Sequence, residues 1–256
     1  MKYLLGLDFE TTGLDFEKDR ITEIGAVLWD CASNAPVVIY NALVKHADAP
    51  PITEEITKLT GITQAMLDEF GTLPILAFRE LNKLIGKAGA IVAHNGSGFD
   101  KPMIEAQMKR YAAFTGEIGC VERGVEIGYE WTKPWVDTCI DIEFPPHITT
   151  RKLTHLAAEH GFLNPFSHRA VFDVLTMMRV LSLYPLAPVL ESAEKPMVTL
   201  IARVSYDDRE KAKARGYRWR GESKTWVRHM KAHKAEAEKT EAGFRVDVVE
   251  FDPLTK

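Results

Sequence analysis

Two acids at the end of an apolar strand constrain this chain more than any other feature. Met1 to Leu7 is an apolar run with strand character, and it leads straight into Leu7-Asp-Phe-Glu-Thr-Thr-Gly13. Residues two apart in a strand point to the same face, so Asp8 and Glu10 project together. Neighbouring carboxylates repel unless something cationic sits beside them, so plain solvated strand-end charges are a poor account of the pair. Two more segments carry acids: His94-Asn-Gly-Ser-Gly-Phe-Asp100 and His168-Arg-Ala-Val-Phe-Asp173.

Asp8, Glu10, Asp100 and Asp173, together with His168, form a donor set suited to phosphodiester hydrolysis. That reaction places negative charge on the attacking, leaving and phosphoryl oxygens, and two divalent ions about 4 Å apart can neutralise it. Such ions need hard oxygen ligands, which carboxylates supply. A nearby histidine, with an ordinary pKa of about 6.5, can take the proton of the attacking water. The pattern predicts a metal-dependent nuclease site.

The three segments resemble the Exo I, Exo II and Exo III motifs of the DEDDh, or DnaQ-like, 3′-to-5′ exonucleases. Between them, Thr60-Gly-Ile-Thr63 is similar to the family's Gly-Ile-Thr segment, and Trp135-Val-Asp-Thr138 to its Asp-Thr strand. Lys152-Leu-Thr-His-Leu-Ala-Ala-Glu-His-Gly161 resembles the helix that precedes Exo III. The matches keep the family order from residue 2 to 183. The Exo II spacing is closer to that of the animal three-prime repair exonucleases, whose polyproline insert is missing here.

The resemblance implies an α/β fold, an RNase H-like mixed β-sheet flanked by helices. It implies two divalent ions, Mg²⁺ or Mn²⁺, with Asp8 bridging both and Glu10, Asp100 and Asp173 completing their shells. His168 would be the general base. Thr11, Thr12 and Gly13 would place backbone and hydroxyl groups around the 3′-terminal nucleotide, Leu14 would pack on its base, and Asn95 would join the substrate site. The implied reaction releases nucleoside 5′-monophosphates from DNA, with single-stranded 3′ ends preferred. Two alternatives stay open: an exoribonuclease of the RNase T or oligoribonuclease type, and a noncatalytic nucleic-acid-binding adaptor, against which the complete set of five site residues argues. Replication or repair proteins would be the partners.

Net charge, −4 over 256 residues, is unusual for an enzyme acting on a polyanion until it is divided along the chain. Residues 196–256 hold 14 Lys and Arg against 10 Asp and Glu, whereas the rest has 18 against 26, an excess that includes the expected metal ligands. No run of 18 apolar residues occurs, and Met1–Leu7 is too short for a signal-peptide core, so a cytoplasmic protein with no membrane association is expected. Cys31, Cys120 and Cys139 are few and widely spaced, which suits reduced thiols.

The chain divides into an exonuclease-like domain over 1–184, a Pro-containing linker over 185–196, and a small basic α+β module over 197–256. In the module, Met197–Val204 reads as a strand, and Ser205-Tyr-Asp-Asp208 resembles a capping box that opens a helix closed by Gly216. Two short strands flank Gly221-Glu222, a helix runs from about Met230 to Thr240, and Phe244–Val248 alternates as a last strand. Ala212–Gly216, Arg218-Trp219 and Lys224-Thr-Trp226 resemble a small domain of unknown function found beside phage and plasmid replication proteins. Arg218, Trp219, Arg220, Lys224, Trp226 and Arg228 suggest a stacking platform for single-stranded nucleic acid, against the plainer reading that a module this small needs its tryptophans as core. Among the remaining histidines, His94 reads as the structural partner of a turn, and His155 and His160 as surface groups. Residues 115–129, with four glycines, read as a mobile hairpin or loop that either helps choose substrate or is an inert insertion.

Overall fold

The computed structural model describes residues 1–118, 133–221 and 223–251. Two compact units divide the chain, Met1–Leu186 and Ala187–Lys256.

In the first unit, strands β1 (Tyr3–Thr11), β2 (Ile21–Asp30) and β3 (Ala35–Leu43) form an antiparallel meander. Helices α1 (Glu54–Thr60), α2 (Gln64–Phe70) and α3 (Pro74–Lys87) precede β4 (Ala90–Ala93), which pairs parallel to β1. Then come α4 (Asp100–Ile118), β5 (Trp135–Asp137), α5 (Leu153–Glu159) and α6 (Ala170–Leu181). The sheet order β3-β2-β1-β4-β5 puts β1 at the centre.

Side-chain alternation along β1 decides what each face can do. Leu5, Leu7 and Phe9 point into the core with Phe78, Leu81 and Ile85 of α3 and with Met103 and Ile104 of α4. Each such side chain, once buried, stabilises the fold by roughly 1.5–3 kcal/mol. Gly6, Asp8 and Glu10 occupy the other face. A Cβ at Gly6 would lie 2.7 Å from Val174 and Met178 of α6, and one at Gly25 of β2 would lie 2.3 Å from the Ala170 backbone. The two glycines therefore let α6 lie directly on the sheet, with its first turn toward the Asp8–Glu10 end of β1. The Gly-Ile-Thr segment has an equally local cause. Gly61 closes α1 at φ 73°, Ile62 is fully buried, and the Thr63 side chain accepts from the Met66 amide to cap α2.

The boundary between the units falls at the first residue of α7 (Leu186–Glu194), so the 185–196 segment, expected as a linker, is largely helical. Its prolines do not prevent this: Pro185 precedes the helix, Pro188 lies in the first turn where no amide bond is lost, and Pro196 follows it. After it come β6 (Met197–Arg203), α8 (Arg209–Ala214), β7 (Arg218–Arg220), β8 (Thr225–Lys231), α9 (Ala232–Glu241) and β9 (Arg245–Glu250). The strands form an antiparallel sheet in the order β7-β8-β6-β9 over a core of Leu200, Ala202, Ala212, Tyr217, Met230, Ala235 and Val246. The Ser205 hydroxyl accepts from the Asp208 amide at 3.2 Å, and Gly216 stands at φ 81° beyond α8. Among the described residues no single helix is long and apolar enough to cross a membrane.

Candidate active site

The four acids expected from sequence come close enough around the C-terminal end of β1 for their charges to act on one another. Asp100 opens α4, is 1% exposed, and accepts the Phe9 amide at 3.2 Å, between Asp8 and Glu10 along the strand. Asp173 lies in the first turn of α6, where one of its oxygens accepts the His168 amide at 3.0 Å and the other accepts Asn164 Nδ2. Candidate ligand atoms of Glu10, His168 and Asp173 lie within 4.8 Å of one another.

Their electrostatics are those of crowded, partly desolvated acids. Burial, and then the charges of Asp100, Glu10, Asp173 and Glu23, push the Asp8 carboxyl well above its ordinary range. Burial, followed by Asp173, Glu23 and Asp100, pushes Glu10 up to about 9. Asp173 is also raised, chiefly by burial. Crowded carboxylates of this kind either hold protons or share hard cations, and oxygen donors from three separate elements fit a divalent ion. His168 is exposed and stands at φ 62°, a left-handed backbone that few non-glycine residues adopt.

The loop after β1 is held by hydroxyl bonds of its own. The Thr11 hydroxyl donates to Gly13 O at 2.6 Å, and the Thr12 hydroxyl donates to Asp19 at 2.7 Å while accepting the Arg20 amide at 3.0 Å. Both hydroxyls thus shape the loop itself. The Asp19 carboxylate also fills the space where a Cβ on residue 13 would stand, 2.4 Å away at the nearest atom, which explains Gly13. Leu14 is 73% exposed at the loop's tip.

Asn95 stands at φ 64°, and its amide donates to Asp137 Oδ1, which also accepts Cys139 N; the Ser97 amide bonds Asp137 Oδ2. The Asp of the Asp-Thr strand is therefore the anchor of the His94–Asp100 turn. His94 Nε2 donates to Arg151 O at 2.6 Å, leaving Nδ1 to accept from Thr138 at 2.8 Å, and burial lowers its pKa. A neutral histidine stapling two loops is the structural role expected of it. His155 pairs with Glu159 at 3.3 Å on the surface. His160 departs from expectation: half-buried, it bonds Leu156 O and the Tyr184 hydroxyl and packs beside Phe144. Leu156 and Ala157 are the buried residues of α5, and His160 follows them inward, whereas Ala158 and Glu159 stay exposed.

Glu23 and Arg169 were not singled out from sequence. Glu23 is directly opposite Glu10 in the β1–β2 register, has 0% exposure, and binds the Arg169 guanidinium at 2.7 Å. The signal that could have found it was an acid inside Ile21-Thr-Glu-Ile-Gly-Ala-Val-Leu, a strand otherwise buried throughout. Of residues 115–129, the first four belong to α4, and the rest lie outside the described residues.

The C-terminal residues split between two faces. Trp219 is opposite Trp226, with ring centroids 5.7 Å apart, so both share one face of the sheet, while Arg218 and Arg220 alternate to the other. Arg228 shares the Trp226 face but is held by Glu238 at 3.1 Å, and Lys224 lies in the β7–β8 turn at φ 50°.

A mixed sheet in this order, with carboxylates gathered at the end of its central strand, is an RNase H-like fold carrying a candidate cation site. The family model described as Exonuclease (RNase_T) matches residues 5–181, more than half of the chain, and the chain belongs to this exonuclease family. A model for a domain of unknown function (DUF8626) matches residues 198–249.

Among curated proteins, the PolC-type DNA polymerase III of Thermotoga maritima is 30% identical over 167 residues, 65% of this chain. The match takes in only 10% of that polymerase's length. Among solved structures, the zinc-bound complex of E. coli ExoI with single-stranded DNA superposes with a TM-score of 0.57 at 19% identity, covering 78% of this chain and 48% of that one. The nuclease domain of 3′hExo, a DEDDh family member bound to rAMP, gives 0.55 at 19%, covering 71% and 90%. These two likenesses concern the fold.

Proposed function

We propose that the protein removes nucleotides from the 3′ ends of DNA, preferring single strands, and releases nucleoside 5′-monophosphates. The observation that carries this is the gathering of Asp8, Glu10, Asp100 and Asp173, from β1, α4 and α6, with His168 beside them. These four carboxylates would hold two divalent ions, Mg²⁺ or Mn²⁺. Such ions, when bound, neutralise charge on the reacting phosphate and acidify water.

His168 accepts the water proton on an imidazole nitrogen, and the water oxygen then bonds phosphorus as the bond to the penultimate 3′ oxygen breaks and that oxygen takes a proton. Asp173 holds the histidine's own backbone through the 3.0 Å amide bond, so base and carboxylate move as one unit. Leu14, exposed in the loop after β1, would pack against the terminal base, and Asn95 would lie along the path of the strand. A paired end would have to be opened before its last nucleotide could enter, which is the reason for the single-strand preference. Backbone contacts around the end suit an enzyme indifferent to sequence.

DNA rather than RNA is supported by the polymerase relatives, and replication proteins are the corresponding partners. Cys31 and Cys139, neither of them in a disulfide, suit the reducing cytoplasm. In the C-terminal module, the Trp219 face is proposed as an accessory contact for single strands, with Arg218, Arg220 and Lys224 supplying charge from the opposite face and the turn.

The test is product length over time on 5′-labelled single-stranded DNA and RNA of one sequence, with Mg²⁺, Mn²⁺ or EDTA. A metal-dependent DNA ladder shortening from the 3′ end is expected. Faster shortening of RNA would reassign the enzyme as an exoribonuclease, and binding without product would make it an adaptor.

A further inference from the structure

Glu23 is a fully buried carboxylate in the middle of β2, and burying a charge is costly unless it is paired and hydrogen-bonded. Its pairing is complete. Arg169 Nε donates to Oε1 and Oε2 at 3.2 and 3.1 Å, Nη2 donates to Oε1 at 2.7 Å, and the Ala170 amide donates to Oε2 at 3.0 Å. With both oxygens occupied, Glu23 is not available as a fifth metal ligand, although it is opposite Glu10.

Its partners are the two residues that follow His168. Ala170 is the first residue of α6, and Arg169 provides no side-chain cap for that helix. The amide that would otherwise lack an acceptor is therefore satisfied from another element, by Glu23. On the other side of His168, the Asn164 side chain and the His168 amide both hold Asp173. His168 thus spans two fixed points, with its backbone at φ 62°. Such a conformation persists in a non-glycine residue where the surroundings over-determine it.

We propose that Glu23 is a positioning residue: through Arg169 and the Ala170 amide it fixes the left-handed backbone at His168 and so aims the imidazole at Glu10 and Asp173. The assignment rests on His168 being the general base, and it gives the Glu23–Arg169 pair a role that a simple strand-to-helix clamp would not have. A base displaced by about 1 Å costs on the order of 10²-fold in rate.

The experiment compares kcat and KM for wild type, Glu23→Gln, His168→Ala and the double variant on a short labelled oligonucleotide. Mn²⁺ binding by calorimetry and the His168 ring resonances of the metal-free protein are measured alongside. Glu23→Gln is expected to lower kcat about 10²-fold while KM and Mn²⁺ affinity stay within about threefold, and to shift or broaden the His168 resonances. In the His168→Ala background the same change should cost less than about threefold, because its target is gone.

Equal losses in both backgrounds, a loss confined to KM or Mn²⁺ binding, or undisturbed His168 resonances would overturn the proposal and leave the base assignment standing. Full kcat in His168→Ala would overturn the base assignment and the proposal with it. If Glu23→Gln fails to fold, Arg169→Lys, which keeps the charge but not the fork, takes its place, and the same losses support or overturn the proposal.

Discussion

Each unit of this protein buries a crowd of charge, and the two crowds are balanced in opposite ways. In the C-terminal unit, Glu238 takes two 2.8 Å bonds from Arg215 and one of 3.1 Å from Arg228. Burial pushes that carboxyl up, but the Arg215 bonds and the Arg228 charge outweigh it, and Glu238 ends below its ordinary range. In the N-terminal unit, Asp8, Glu10 and Asp173 end above theirs, because burial and neighbouring acid charges exceed what opposes them: the Arg169 guanidinium, already bound to Glu23, at Glu10, and His168 and Asn164 at Asp173. The first cluster carries its own cations and is finished as folded. The second is short of positive charge, which is what distinguishes a cation site from a structural ion pair.

The largest test of that contrast is removal of one acid from each cluster. Asp8→Ala or Asp173→Ala should lower exonuclease activity by about 10³-fold or more, the scale seen when one member of a catalytic unit is lost. Yet in EDTA the Asp8 variant should melt higher than wild type, because a buried carboxyl that must take up a proton on folding, or repel its neighbours, has gone. A lower melting temperature there would mean that the carboxylates are structurally satisfied and the contrast between the clusters is wrong. Glu238→Gln should do the reverse: activity on a short oligonucleotide unchanged, with denaturant unfolding of the C-terminal unit weakened by about 3 kcal/mol as two guanidinium groups lose their buried partner.

The same contrast sets opposite pH slopes. Glu10 titrates near 9 in the metal-free fold against an ordinary 4.5, so between those values the folded state holds a proton that the unfolded state has lost. Stability from this group is present below pH 4.5 and falls as pH rises to 9, at up to roughly 1.4 kcal/mol per pH unit. Glu238, lowered, contributes stability above its unfolded value and loses it as pH falls. Melting scans in EDTA should therefore show the N-terminal unit weakening from pH 5 to 9, and Mg²⁺ should flatten the slope. A slope that Mg²⁺ leaves untouched would mean that these carboxylates hold no cation.

What was legible in the sequence follows from the range of each interaction. Asp8 and Glu10 share a face by strand alternation alone, and the Exo motifs in family order brought Asp100, His168 and Asp173 to them. Glu23 required the β1–β2 register, and Arg169 looked like an ordinary basic residue after a histidine. His160 looked exposed because its acceptor and aromatic partners, Leu156 O apart, lie outside its helix. The 185–196 segment looked like a linker because proline content was weighed without position, whereas Pro188 falls in the one turn of α7 that tolerates it. The acids proposed to perform the chemistry announce themselves by type and spacing. The groups that hold them in place act across elements, and only the fold brings those together.

The smallest expected effect concerns the two tryptophans, where the contrast between finished and open surfaces recurs within one module. Trp226 is half-buried against the core of the C-terminal unit, whereas its cross-strand partner Trp219 is 53% exposed. Truncating an aromatic that packs on a core costs stability, while truncating one in water costs little unless something stacks on it. Trp219→Ala should therefore leave the melting temperature nearly unchanged and weaken binding of a single-stranded oligonucleotide by about fivefold, roughly 1 kcal/mol, in an anisotropy titration at low salt. Trp226→Ala should instead lower stability. Arg218 and Arg220, turned to the opposite face, separate the two readings: if their alanine variants weaken binding and Trp219→Ala does not, nucleic acid lies on the basic face and the aromatic pair is packing alone.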